Sequence, residues 1–426
     1  MLARLIWCVA LIAALQAAAS LQVLRHTHDR RQATSRAQHR IAALSVHDPI
    51  AAAEQVLNIR RINDTSAPLW GVGAVAAAES DYDQVSWSRS APFHQPPAAE
   101  GNLITGYTHI PDKFHGFTLN RSRVDSRGSH VATAPVYMST VEDPSKVKRI
   151  VLALTTMPRD AWKTATMLGN AYEIAKRYDD LSVQNGSVAI AVPVFFSTAD
   201  VSAGAARASD LSFKKSNWMA GAPARTPAGF GHVSSYSIVD TVMDDMLATY
   251  TNAEHVVVIG HSMGARATLG YAVANGDKHK HRDILSYWVG NPGSYTWLTG
   301  DRPYSTHGCA DYDRWPSGLG SNLPHYAKER MGGSSAAKHA RGLRNVRMHL
   351  SLGLNDNGNQ GSRCVVEAQG ANRLARGSQW ILMLRNMFGG LPKNITALYV
   401  PEVSHQDYVM FAQLSTLRYV FGNQMD

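Results

Sequence analysis

Cysteine is scarce, with three in 426 residues. That is too few for a scaffold built on disulfides, and no Cys/His spacing suits structural zinc. Charge is thin as well, at 18% of residues, which excludes a coiled coil or a long charged linker. Only one long apolar run is present, so the chain is not a polytopic membrane protein. There is no Gly-rich phosphate loop, no internal repeat, no His-Glu-x-x-His and no carboxylate cluster with metal-site spacing. These absences point to chemistry without a cofactor or a metal. What is abundant is ordinary core material: 45% hydrophobic residues, enough to fill one elaborated domain and too much for a disordered or collagen-like chain.

The formal charge of +9 is mostly terminal. Arg4 contributes one, and five arginines less Asp29 contribute four between residues 25 and 40. The remaining surplus is thin and lacks the aromatic interleaving of a nucleic-acid groove. No nucleic-acid partner is expected.

Met1–Arg4 form a short positive segment, Leu5–Ala19 an apolar one, and Ala17-Ala18-Ala19-Ser20 end it with small residues. This is the layout of a secretory signal peptide. Fifteen residues rise only about 22 Å as a helix, short of a roughly 30 Å hydrocarbon core. The alternative is an uncleaved single-pass anchor, helped by Leu21–Leu24, and only then would a membrane be a partner. Both readings put the rest of the chain outside the cytosol. Sequons at Asn63, Asn120, Asn185 and Asn394 fit a glycoprotein, although such triplets are common by chance. With Cys8 inside the signal segment, Cys309 and Cys364 remain. They are either one disulfide or two unpaired thiols.

Three regions follow: residues 1–20 as the signal, 21–105 as a low-order arm, and 106–426 as the folded domain. The arm is arginine-rich near its start, Ala-rich around Ala74–Ala78 and Ala-Pro-rich at Ala91–Ala99. Strand text is expected at Phe114–Leu119, Ala134–Val141, Arg149–Leu154, Ser187–Phe196, His255–Ile259, Leu285–Val289, Val346–Leu352 and Ile395–Val400. Helical spacing fills Arg159–Tyr178, Ser234–Tyr250, Gly264–Asn275, Ala371–Phe388 and Asp407–Phe421. Alternation of this kind predicts an α/β fold with a mainly parallel sheet covered by helices. It lapses between about residues 293 and 343 into Gly-, Pro- and aromatic-rich text, expected to be a cap insertion.

The stretch His255-Val256-Val257-Val258-Ile259-Gly260-His261-Ser262-Met263-Gly264 is the most informative. A buried strand runs through Gly-x-Ser-x-Gly into a helix. A nucleophile on so sharp a turn tolerates only small residues two positions away, and Gly260 and Gly264 occupy both. The turn also sets the Met263 amide at a helix N-terminus, which favours negative charge.

Here the chain resembles the α/β-hydrolase superfamily, over about residues 130–426. Its phrases Pro158-Arg159-Asp160-Ala161-Trp162, Gly290-Asn291-Pro292-Gly293-Ser294-Tyr295 and the loop from Asp356 to Cys364 resemble secreted eukaryotic members of unsettled substrate. The resemblance implies the order nucleophile, acid, histidine. Asp356 follows the strand Val346–Leu352, and His405 follows Ile395–Val400. Ser262, Asp356 and His405 are thus the candidate triad, with Glu367 and Glu402 as weaker substitutes for the acid. His261 reads as a packing or pocket residue. One oxyanion donor would be Met263 N–H. The second would come from the loop after Arg149–Leu154, with Thr156 favoured and Met157 next. That loop lacks the His-Gly or Gly-rich phrase of many lipases and esterases.

The resemblance implies a metal-independent serine hydrolase acting on an ester or related acyl compound, with a small-molecule or lipid-like acyl substrate. Two alternatives stand beside it: an acyltransferase using the same triad, and a non-catalytic binding protein on the same fold.

Overall fold

The computed structural model describes residues 35–62, 94–157, 159–357 and 363–422. The signal segment, Asn63 and the Ala-rich stretch of the arm lie outside the described residues.

The strands are β1 (Glu100–Asn102), β2 (Gly106–His109), β3 (Lys113–Phe114), β4 (Phe117–Arg127), β5 (His130–Ser139), β6 (Arg149–Leu154), β7 (Val188–Pro193), β8 (Phe196–Ser197), β9 (Ser212–Phe213), β10 (His255–His261), β11 (Leu285–Gly290), β12 (Arg347–Gly353) and β13 (Ile395–Val400). Nine of them form one sheet in the order β13-β12-β11-β10-β6-β7-β5-β4-β3. From β7 to β13 every pairing is parallel, whereas β3, β4 and β5 join antiparallel at one edge.

The apolar runs explain the layering. Every residue of β6, β7 and β11 is buried, as expected of strands covered on both faces. Alternate side chains enter opposite layers. Ile150, Leu152 and Leu154 join one hydrophobic cluster, and Val151 and Ala153 join the other. Each large aliphatic so buried contributes about 1.5–3 kcal/mol. The helices Ser235–Thr249, Met263–Asn275 and Arg373–Phe388 supply the first layer. Ala161–Ala175, Asp407–Phe411 and Leu414–Phe421 supply the second.

The low-order reading of the arm needs correction over residues 35–62. They form two helices, residues 35–47 and Pro49–Ile62. Ile41, Ala52, Ala53 and Val56 are buried against the first layer. Arg385 Nη1 pairs with Glu54 Oε1, and Tyr399 N of edge strand β13 donates to Ser45 Oγ at 3.1 Å. The buried apolar residues are half alanine, and alanine also stands on the exposed side at Ala43, so the hydrophobic contrast is low, and only the receiving surface makes a packed helix. Residues 94–105, also assigned to the arm, include β1, paired antiparallel with β2.

Between β11 and β12, residues 293–343 form an insertion with only two short helices, His325–Met331 and Ala336–Arg341. Trp297, Trp315 and Tyr326 of this insertion are buried in the first layer. Trp218 and Trp288 are likewise interior. Cys309 and Cys364 form a disulfide, with Cα atoms 5.7 Å apart and a sequence separation of 55. It ties the insertion to the chain just beyond Asp356. The basic run at Lys278–Arg282 is engaged at the surface, with Lys280 and His281 both bonded to Asp244. Asn120, Asn185 and Asn394 are all exposed.

Candidate active site

β10 ends at His261 and the helix Met263–Asn275 begins two residues later. Ser262 alone makes the turn, with φ 55° and ψ −115°, a region few non-glycine residues adopt. Its N–H donates to Gly290 O at 2.9 Å, and its carbonyl accepts from Arg266 N at 3.1 Å. A Cβ on Gly260 would lie 2.3 Å from the Gly264 carbonyl oxygen. One on Gly264 would lie 2.1 Å from Leu154 O. Both positions therefore require glycine. Two other long helices borrow a side-chain cap at the start: Ser234 accepts from Tyr236 N, and Asn372 from Ala375 N. The elbow helix has none, so its first amides remain available.

The strand order, the parallel run from β7 to β13 and the strained serine between β10 and its helix together decide the architecture. The chain has the α/β-hydrolase fold.

As in any such fold, the loops beyond the carboxyl ends of the parallel strands converge on the elbow. Asp356 follows β12 and His405 follows β13, and both are buried, whereas Ser262 is partly exposed. His405 Nε2 lies 2.7 Å from Ser262 Oγ, and His405 Nδ1 lies 2.8 Å from Asp356 Oδ2. Glu367 and Glu402 are exposed. Glu402 faces His39 on the outer side of its loop, so Asp356 is the carboxylate behind His405.

Burial by itself would raise the Asp356 carboxyl. His405 and then Arg373 more than offset that, and hold it below the usual carboxylate range. Arg373 Nη1 sits 3.2 Å from Asp356 Oδ1. His261 is 1% exposed and its ring lies 4.8 Å from that of His405. Burial first, then His405, Arg373 and Lys163, push its imidazole well below the ordinary value. It is a neutral wall behind the site.

Several braces were not legible in the sequence. Asn291, just past β11, donates from Nδ2 to Ser404 O at 2.9 Å and accepts at Oδ1 from Gly353 N at 2.8 Å. It locks together the loops carrying the acid and the histidine. Gln38, from the helix at 35–47, donates to Asn355 Oδ1 at 2.7 Å and accepts from Glu402 N at 2.6 Å. The same two loops are thereby clamped from outside. The signal for Asn291 was its place directly after a buried strand. For Gln38 and Arg373 there was none.

After β6, Thr155 and Thr156 are buried and Met157 is 51% exposed. The carbonyls of Leu154 and Thr155 pack directly against Gly264, so this loop adjoins the elbow. Among the described residues, neither Thr156 N–H nor Met157 N–H has a hydrogen-bond acceptor. Two cavities, of about 310 and 420 Å³, lie elsewhere and include none of Ser262, Asp356 and His405 in their linings.

No family model matches the chain, and no curated protein sequence matches it. Solved structures do. One is the poly(3-hydroxybutyrate) depolymerase LpqC from Bordetella parapertussis, 18% identical at a TM-score of 0.49, covering 73% of this chain and 91% of that one. Another is poly(aspartic acid) hydrolase-1 from Sphingomonas sp. KT-1, 14% identical at 0.46, covering 72% and 98%. A third is an IroE-like serine hydrolase from Shewanella oneidensis, 12% identical at 0.39, covering 72% and 80%. At these values the likeness says nothing about substrate and lends no support to a eukaryotic origin.

Proposed function

We propose that the chain is a serine hydrolase that cleaves an ester or related acyl bond through Ser262, His405 and Asp356. The observation that carries this is the continuous relay from Ser262 Oγ through the His405 ring to Asp356 Oδ2, at 2.7 and 2.8 Å. A serine hydroxyl is a weak nucleophile until an imidazole accepts its proton. Neutral His405 accepts that proton at Nε2 as Oγ attacks the acyl carbon, while its Nδ1–H donates to the ionised Asp356. The resulting imidazolium is stabilised by that carboxylate. The tetrahedral oxyanion takes Met263 N–H and an amide of the Thr156–Met157 loop. Collapse releases the alcohol, which receives the proton from His405, and leaves an acyl-Ser262 ester. Water, deprotonated by His405, then attacks that ester and regenerates the enzyme. Every proton moved belongs to Ser262, His405 or water.

The disulfide between Cys309 and Cys364 supports an oxidising compartment, and with it the reading of residues 1–20 as a secretory signal. Among the described residues no helix is long and apolar enough to cross a membrane. The exposed Asn120, Asn185 and Asn394 are the acceptors to test for glycan.

The deciding experiment is labelling of the purified protein by a fluorophosphonate, with Ser262→Ala and His405→Ala alongside. Labelling lost in both variants supports the reading. Absence of labelling in folded wild-type protein overturns it in favour of a binding protein on the same fold.

A further inference from the structure

The loop after β6 lacks the glycine-rich phrase that could shape an oxyanion donor, so something else must hold its amides. Arg159 stands where that support is needed. Its backbone is left-handed, φ 65°, a costly conformation for a non-glycine residue. Its side chain is 2% exposed, and its partner Asp200 is fully buried. Burying a charge pair is costly as well. Two such costs at one residue beside the candidate site are a reason to look for a function.

Both terminal nitrogens of the guanidinium are held, while Nε has no hydrogen-bond partner among the described residues. Nη1 pairs with Asp200 Oδ2 and donates to Phe195 O at 3.4 Å. Nη2 donates to Asp200 Oδ1 at 3.4 Å and to Leu103 O at 3.5 Å. The Tyr107 ring lies 5.9 Å away. Asp200 is itself fixed by Ser197 Oγ at 2.9 Å, Ser197 N at 2.6 Å and Tyr107 N at 2.9 Å. On the backbone side, Arg159 N donates to Thr156 O at 3.1 Å. The C=O and N–H of a trans peptide point in opposite directions. With the Thr156 carbonyl turned into the turn, Met157 N–H faces out of it.

We propose that Arg159, locked by Asp200, is the positioning residue for the second oxyanion donor. It does for the Thr156–Met157 amides what a glycine-rich phrase does elsewhere. The inference rests on the serine-hydrolase reading. A guanidinium forked onto a buried carboxylate fixes direction as well as distance, which a lysine cannot do. Misplacing a donor by a fraction of an ångström weakens transition-state binding far more than substrate binding.

The test uses Arg159→Lys and Asp200→Asn in the full protein. Asn keeps one acceptor oxygen, for either the Tyr107 or the Ser197 amide but not both, so each variant is first shown to be folded by its thermal unfolding. Turnover of p-nitrophenyl butyrate is measured with inhibition by an alkyl trifluoromethyl ketone, whose hemiketal oxygen occupies the oxyanion position. The expected result is a kcat about tenfold to hundredfold lower, KM within about twofold, and a Ki that rises in step with the loss of kcat/KM. Folded variants with wild-type kcat and Ki would overturn the proposal. So would a fall in kcat with Ki unchanged, which marks a structural role only. Failure of the underlying reading is separately visible, because wild-type protein would then not react with fluorophosphonate at all.

Discussion

Gly264 faces Leu154 so closely that a side-chain carbon on the glycine would lie 2.1 Å from the Leu154 carbonyl oxygen. The contact welds the start of the elbow helix to the end of β6, and it sets the spacing between Met263 N–H and the Thr156–Met157 loop. Backbone lies on both sides, so nothing flexible can give way.

Gly264→Ala is therefore expected to lose more than about 3 kcal/mol of stability, the range of severe overpacking. Thermal unfolding of the variant beside wild type checks this. A midpoint within a degree or two of wild type would mean that the elbow and β6 separate more easily than their packing implies.

Asp356→Asn keeps the shape of the acid but removes the charge that orients His405 and neutralises Arg373. A kcat about 10³–10⁴-fold lower is expected, with some loss of stability because Arg373 is left facing a neutral amide. The Asp356 carboxyl is held below its ordinary value, chiefly by His405 and Arg373 acting against burial. Its contribution to stability is thus present at neutral pH and is lost as pH falls through the depressed value. Unfolding midpoints of wild type and variant should converge in acid.

Gln38→Ala removes the clamp between Asn355 and Glu402 N. A loss of about 1 kcal/mol is expected from two part-buried hydrogen bonds, together with a several-fold fall in kcat. Esterase assays and unfolding on the same preparation check both. If stability falls and kcat does not, the N-terminal helices merely cover the sheet edge.

Burial pushes the Asp160 carboxyl up to about 6, with Lys163 opposing the rise and Asp407 adding to it. A carboxyl easier to protonate in the folded chain than in the unfolded one favours the fold in acid. That contribution is complete below the ordinary carboxylate value and is lost as pH rises through about 6. Asp160→Asn should therefore stabilise the protein by about 1–3 kcal/mol at pH 7–8, and the gain should shrink toward pH 4. A gain that does not vary with pH would assign it to some other cause.

The parallel strands were legible because each is a short, continuous apolar run. Arg149–Leu154 and Ile395–Val400 match β6 and β13 at both ends. Other boundaries shifted where a turn falls inside apolar text. Phe114–Leu119 is split by His115 and Gly116 into β3 and the start of β4, because both residues take positive φ. Asp407–Phe421 is two helices rather than one. The helices over 35–62 have a weak amphipathic pattern because alanine stands on both their buried and their exposed sides, at Ala52, Ala53 and Ala43.

By itself the sequence determined the alternation of strand and helix, the glycines flanking Ser262, and the order in which serine, acid and histidine occur. Those are local properties, set by periodicity and by the steric demands of one turn. Tertiary structure alone decided which carboxylate stands behind His405, that Arg373 neutralises it, and that Gln38 and Asn291 brace the two loops. The same holds for the buried pair of Arg159 and Asp200 beside the Thr156–Met157 loop. These contacts join residues from 17 to 364 positions apart, and no local preference of the chain encodes such a distance.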